Sequence, residues 1–339
     1  MKAVSIKDIA GQAGVSTTTV SFVLNGKARE KRISEELKNR ILELATRLNY
    51  RPNQVARGLR TGQTHTIGLI IEDISNPFFA NLAKAVEEEA DKFGYTVMFC
   101  CTENNEQKAN GLLHMLKHRQ MDGFIITPTT GMESEVKLLG EEGRPVVLID
   151  RYFPELETSY VTVDNYKGAF DATTKLISCG YERIGLVTTD SKQVQMKYRY
   201  EGYSEALIKH HIPVHEKLVF RLGFDHTKEQ AVQQISDFIV NQKIDAVFFT
   251  TNYLGVYGLE SLRLCGKKIP EEIGVICFDD NDLFRLGTPA ISVISQPIVE
   301  IGRQAVASLL AQLKQKDLLP RKIMLEPTLL QRESLKQNK

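Results

Sequence analysis

The stretch SIKDIAGQAGVSTTTVSFVL, Ser5 to Leu24, decides how the chain is read. Ser5 precedes Ile6, Ile9, Ala10 and Ala13, apolar at helical spacing, and Asp8 three residues on can return a capping bond, so a short helix is expected to start near Ile6. Gly14 supplies the positive φ that a three-residue turn between crossing helices needs, and Val15 can plug the gap between them. Ser16 caps a second helix reaching about Leu24, with Val20, Val23 and Leu24 turned to the first helix and Thr17, Thr18 and Ser21 on or near the outer face. That is the build of a helix-turn-helix, whose second helix brings its first residues to base edges in the major groove and can hold a phosphate on its free N–H groups. A polar-faced helical hairpin of another kind is the alternative these residues leave open.

The next residues narrow the choice. Asn25 and Gly26 suit a helix end in the left-handed region, and a basic loop, KAREKR from Lys27 to Arg32, leads to Ser34. Ser34 with Glu35 and Glu36 opens a third helix whose Leu37, Ile41, Leu44, Ala45 and Leu48 close a small core, and Pro52 reads as its stop. Asn53 to Leu59 can form only about two helical turns, too few to stand alone. Residues 1 to 65 hold twelve Lys or Arg against five Asp or Glu, and the rest 31 against 37, so a net charge of +1 hides a basic head on an acidic body. Such a head suits a phosphate backbone.

The run VSTTTVSFVLNG, followed by LNYRPNQVARGLRTGQTHTIGLI, resembles the lactose-repressor and galactose-repressor family of bacterial transcription regulators, and the likeness extends over essentially all 339 residues. It implies an all-α helix-turn-helix head and a two-lobed, periplasmic-binding-protein-like α/β body. Ser16, Thr17, Thr18, Ser21, Phe22, Asn25 and Arg29 are the expected DNA contacts of the head. The resemblance also implies a hinge helix at about 53–60 that enters the minor groove, with Asn53, Ala56, Leu59 and Arg60 at the DNA and Leu59 as the wedge between base pairs. Where the family usually has arginine or histidine late in the recognition helix, this chain has Phe22, which can touch a thymine methyl or pack internally but cannot grip guanine.

From Thr66 the pattern changes to short apolar runs alternating with helices: TIGLII, TVMFCC, GFIITP and PVVLID, then, after Asp164, RIGLVTT, KLVFRL, AVFFTT and GVICFDD. This predicts parallel, doubly wound sheets in two similar lobes. The expected division is 1–62 for the DNA-binding domain and 63–339 for an effector-binding domain. Its first lobe takes about 63–163 and 293–321, and its second about 164–292 and 322–339, because the family chain crosses between lobes three times. Leu82, Val86 and Leu113 are candidates either for a dimer face or for the core of the first lobe.

Ligands of open α/β sheets bind beyond the carboxyl ends of the strands. The residues there, Asp73, Asn76, Phe78, Phe79, Asp150, Arg151, Asp164, Asn252 and Asp279, combine carboxylates, amides and aromatic faces, the chemistry of a polyol or sugar site. Arg199 resembles the family arginine that reaches into the effector cleft, and Tyr253 stands where an aspartate is common there. No metal or cofactor is expected: Cys100, Cys101, Cys179, Cys265 and Cys277 contain no CxxC pair, His114 and His118 lack a third ligand, and Asp279, Asp280 and Asp282 lack the rest of a calcium loop. No nucleophile with a base and no phosphate loop points to an enzyme.

No secretory signal and no run near the eighteen apolar residues of a membrane span is seen, so a cytoplasmic protein is expected. The resulting expectation is a sequence-specific regulator, a repressor, acting as a homodimer or a dimer of dimers on a pseudo-palindromic operator, with a sugar or sugar derivative as effector. A purine or nucleoside co-repressor protein on the same scaffold is the alternative, and a cytosolic α/β enzyme the rival of another class.

Overall fold

A computed structural model describes residues 4–50, 63–223, 225–315 and 318–337. The chain divides into two compact units, Met1–Thr64 and His65–Lys339. In the first, helices α1 (Ile6–Ala13), α2 (Thr17–Leu24) and α3 (Glu35–Arg47) close on Ile9, Ala13, Val20, Val23 and Ile41. The Asp8 carboxylate accepts both the N–H and the hydroxyl of Ser5, at 2.7 Å each. Ser16 Oγ accepts the Thr19 N–H at 3.1 Å, and Ser34 Oγ the Leu37 N–H at 3.3 Å. Gly14 turns the chain at φ 65° and Gly26 at φ 72°. One expectation is corrected: α3 ends at Arg47, with Asn49 at φ 50° turning the chain, so Pro52 is not its stop.

The second unit contains two six-stranded sheets. The first is built from β1 (Thr66–Ile71), β2 (Thr96–Cys101), β3 (Gly123–Ile126), β4 (Val146–Ile149), β5 (Ser159–Val163) and β11 (Lys322–Leu325), in the order β11-β5-β4-β3-β1-β2. Helices α4 (Pro77–Asp91), α5 (Glu106–His118) and α6 (Glu133–Glu141) separate its strands, and α12 (Ile298–Lys314) packs on α4. The second is built from β6 (Ile184–Thr189), β7 (Val219–Leu222), β8 (Ala246–Phe249), β9 (Gly274–Phe278), β10 (Ser292–Ser295) and β12 (Thr328–Leu330), in the order β12-β10-β9-β8-β6-β7. Its helices are α7 (Asn165–Ser178), α8 (Val194–Lys209), α9 (Lys228–Asn241), α10 (Asn252–Leu264) and the short α11 (Asp282–Leu286). All pairings are parallel except β10 with β12.

The strand order moves two expected lobe boundaries. Ser292 to Ser295 belong to the second sheet, so that crossing follows Ser295; β11 pairs with β5 in the first sheet, so the last crossing falls between Leu325 and Thr328 and not at Arg321. The physical reason is that KIML and TLL are two separate edge strands flanking Glu326 and Pro327, which read in sequence as one terminal run. Leu82, Val86 and Leu113 are fully buried in the first lobe, which closes them to any partner.

Candidate functional site

The carboxyl ends of β1, β4, β6, β8 and β9 converge where the lobes of the second unit face each other. Asp150 after β4 and Asp279 after β9 both adopt the left-handed region, at φ 67° and 71°, which costs a non-glycine residue roughly 1–3 kcal/mol and is held by the surrounding fold. Both are buried. Burial lifts Asp150 from 3.8 to about 6 against the pull of Arg151 and Arg199, with Asp279 and Glu72 adding to the rise. Asp279 is also raised by burial, and Arg199, the Gln296 side chain and the Asn252 N–H hold it down. Gln296 donates to Asp279 Oδ1 at 2.6 Å.

Two guanidiniums enter this site. Arg151 donates to Glu72 Oε2 from two nitrogens at 2.9 Å, to Asn104 Oδ1 at 2.9 Å and to the Pro128 carbonyl at 2.6 Å. Arg199 is buried over the face of Phe278, 3.5 Å from the ring centre, and donates to Asn165 Oδ1 at 2.8 Å and to the Thr250 carbonyl. The two lobes touch through short polar contacts: Asn252 Nδ2 donates to Asn76 Oδ1 at 2.7 Å, and Gln193 Nε2 to Asn104 Oδ1 at 3.3 Å.

These residues enclose two joined chambers. The inner one, about 40 Å³, is lined by Phe78, Phe79, Asp150, Arg151, Arg199, Asn252, Tyr253 and Asp279. The outer one, about 840 Å³, shares Glu72, Asn76, Asn104, Asn252 and Tyr253 with it and adds Asp73, whose carboxylate accepts the Ser75 N–H and hydroxyl. The fold thus gathers all of the expected effector residues but one. The exception, Asp164, is a correction: its Oδ1 accepts the Lys167 N–H at 2.7 Å as the cap of α7, and it lines a separate cavity of about 210 Å³ with Tyr152, Tyr166 and Tyr198. A carboxylate directly before a helix serves the free N–H groups there, and the sequence carried that signal.

Sequence reasoning missed Glu72, Asn104, Gln193, Gln195 and Thr189. Glu72 directly follows β1, where the rule that found Asp150 applies. Gln195 is 2 % exposed and Thr189 7 % exposed, and their Oε1 and Oγ1 have no hydrogen-bond partner among the described residues. The acidic run after β9 is taken up by cations: Asp280 pairs with Arg332 at 2.5 Å and Asp282 with Arg285 at 2.9 Å. His114 pairs with Glu135 at 3.4 Å.

In the head, Ser16, Thr17, Thr18, Asn25 and Arg29 are exposed, while Ser21 and Phe22 are half-buried. Lys31 Nζ lies 5.4 Å from the Phe22 ring centre, so the basic loop caps the residue that departs from the family pattern. Asn53, Ala56, Leu59 and Arg60 lie outside the described residues.

The model of bacterial regulatory proteins of the lacI family matches residues 5–53, and that of the periplasmic binding protein-like domain matches residues 173–335. The ribose operon repressor of Haemophilus influenzae is 31 % identical over 333 residues, 98 % of each chain. The chain belongs to the lacI family. It is therefore a DNA-binding transcription regulator with an effector-binding body, and not an enzyme. A complex of the regulator CelR with cellobiose matches at TM-score 0.70 and 26 % identity, covering 98 % of this chain and 99 % of that one. The lac repressor dimer bound to operator and an anti-inducer shares the fold at TM-score 0.86 and 21 % identity, covering 98 % and 99 %. Among the described residues no helix is long and apolar enough to cross a membrane.

Proposed function

We propose that this family member is a sugar-responsive repressor, dimeric on a pseudo-palindromic operator, and that its effector binds in the two joined chambers between the lobes. The observation that carries the reading is the inner chamber. Gln195 and Thr189, whose Oε1 and Oγ1 are buried without a partner among the described residues, line it beside Asp279, Asn252 and Arg199. An unmatched buried polar atom costs about 1–3 kcal/mol, and ligand hydroxyls recover that cost. The ribose operon repressor and the cellobiose complex support a sugar. Exposed hydroxyl groups at the start of α2 support base contact by Ser16, Thr17 and Thr18, with Ser21, Phe22, Asn25 and Arg29 further along.

A two-fold dimer presents two equivalent heads, hence the pseudo-palindrome. The exposed Phe99 in the edge strand β2 and Phe93 just before it support a dimer face on the first lobe. Because Asn76–Asn252 and Asn104–Gln193 join the lobes, an effector seated among them alters lobe closure, which couples to DNA affinity by about 1–3 kcal/mol and reciprocally.

The test is a thermal-shift screen of the whole protein against sugars, sugar phosphates, nucleosides and purines, with DNA binding measured for each hit. A bound ligand raises the melting temperature. A sugar that also changes DNA affinity is the expected result. A purine hit with no sugar hit overturns the effector assignment.

A further inference from the structure

Resting on the reading of a sugar-type effector, we propose that the effector is an uncharged saccharide of two or more rings, held mainly in the outer chamber. Size is the first argument. The inner chamber, about 40 Å³, has room for roughly two or three water-sized groups, less than a sugar ring. It can receive hydroxyl groups at one end of a ligand, where Gln195 and Thr189 each hold a buried oxygen without a partner among the described residues. The bulk of the ligand must then lie in the outer chamber, and about 840 Å³ stands near the upper end of the roughly 300–1,000 Å³ typical of small-molecule sites. A single ring would leave most of it to water.

Charge is the second. Glu72, Asp73, Glu103, Asp280 and Asp282 line the outer chamber, and among its described lining residues the one guanidinium, Arg285, is bonded to Asp282. Of the two inner guanidiniums, Arg151 is equally engaged, by Glu72, while Arg199 is held deeper by Asn165, the Thr250 carbonyl and the face of Phe278. In the outer chamber a phosphate or carboxylate meets five carboxylates, all but Asp73 paired with a cation, and no uncommitted cation among the described lining residues, since the charge of Arg199 lies in the inner chamber; sugar hydroxyls can use polar groups of either kind.

Surface chemistry is the third. Tyr253 and Tyr257 meet edge-on at 5.9 Å, and the His226 ring stands edge-on to Tyr257 at 6.4 Å. With Val256 and Leu283 they give the outer chamber an apolar, ring-bearing wall. The C–H faces of a second sugar ring match such a wall, and Tyr hydroxyls can serve its edges.

The experiment is isothermal titration of the full-length protein with D-glucose, D-galactose and D-ribose, with α- and β-linked di- and trisaccharides of the hexoses, and with glucose 6-phosphate. The expected result is a di- or trisaccharide that binds at least tenfold more tightly than its constituent monosaccharide. Tyr257→Ala should narrow that advantage at least fivefold, and Tyr257→Phe should restore most of it. Glucose 6-phosphate should bind at least tenfold more weakly than glucose, and the exposed change Asp282→Asn, which releases Arg285, should shrink that penalty. A monosaccharide equal to its longer counterparts, or a preferred sugar phosphate, overturns the proposal and leaves the sugar reading standing. Binding of a purine with no saccharide of any length overturns that reading as well.

Discussion

The two walls of the cleft each present one arginine, and the two are held in opposite ways. Arg151, on the first lobe, is fastened by a carboxylate: two of its nitrogens reach Glu72, and the rest of its bonds stay within that lobe. Arg199, on the second, is held by a neutral amide, a backbone carbonyl and the face of Phe278, with Asp150 and Asp279 near enough to be felt but not bonded to it. The difference separates two residues that the sequence ranks alike. An arginine whose charge is matched at 2.9 Å positions a wall; one held by neutral groups keeps charge to offer a ligand.

The largest expected effect breaks the second wall. Arg199→Met leaves Asp150 and Asp279 buried with less compensation, so urea unfolding of the body should lose about 3–5 kcal/mol and the effector response should vanish. A response that survives would mean that Arg199 only supports the fold. Next comes the first wall: a double-mutant cycle of Arg151→Met with Glu72→Gln should return a coupling of about 1–3 kcal/mol, while the cycle of Arg199→Met with Glu72→Gln should return under about 0.5 kcal/mol. Equal couplings would erase the distinction between the arginines.

A pH titration sharpens the same contrast. Asp150 titrates at about 6 in the folded body against 3.8 ordinarily, so the folded state takes up the proton first as the pH falls. The charged carboxylate therefore weakens the fold above pH 6, and that penalty fades between pH 6 and pH 4, with at most about 3 kcal/mol at stake. Stability of the body should rise over that window as the pH falls, and Asp150→Asn should flatten the rise in part, since Asp279 shifts the same way. An unchanged slope in the variant would place the titration elsewhere. The smallest effect belongs to the contact between the walls: Asn76→Asp keeps the Oδ1 cap that accepts the Phe78 N–H of α4 and alters only the bond from Asn252, and should change effector affinity about fivefold or less in titration calorimetry.

How legible each feature was in the sequence follows from how local its cause is. Ser5, Asp8, Gly14, Ser16 and Ser34 act within four residues, and each appears in the head where its type predicted. The alternation of apolar runs and helices fixed both sheets, because parallel strands buried on both faces need continuous runs. Tyr253 came from the resemblance alone, while the rule of strand ends found Asp150, Arg151, Asn252 and Asp279. It could not see that Arg151 would meet Glu72, 79 residues away in the chain, nor that two glutamines ahead of and within α8 would close the inner chamber. Asp164 was misplaced for the opposite reason: its local role as a helix cap outweighed its position after a strand. That β11 and β12 are separate strands in different sheets escaped, because one continuous run, IMLEPTLL, spans both and nothing local marks where the chain crosses.

The most direct measurement is the affinity of the full-length protein for a duplex that it selects from a random DNA pool, taken without effector and at saturation, in wild type and in Arg199→Lys. The account predicts a shift of about 5- to 150-fold in wild type, matched by an equal shift in effector affinity when the DNA is bound, and a much smaller shift in the variant. An effector that binds between the lobes while DNA affinity stays constant would contradict it.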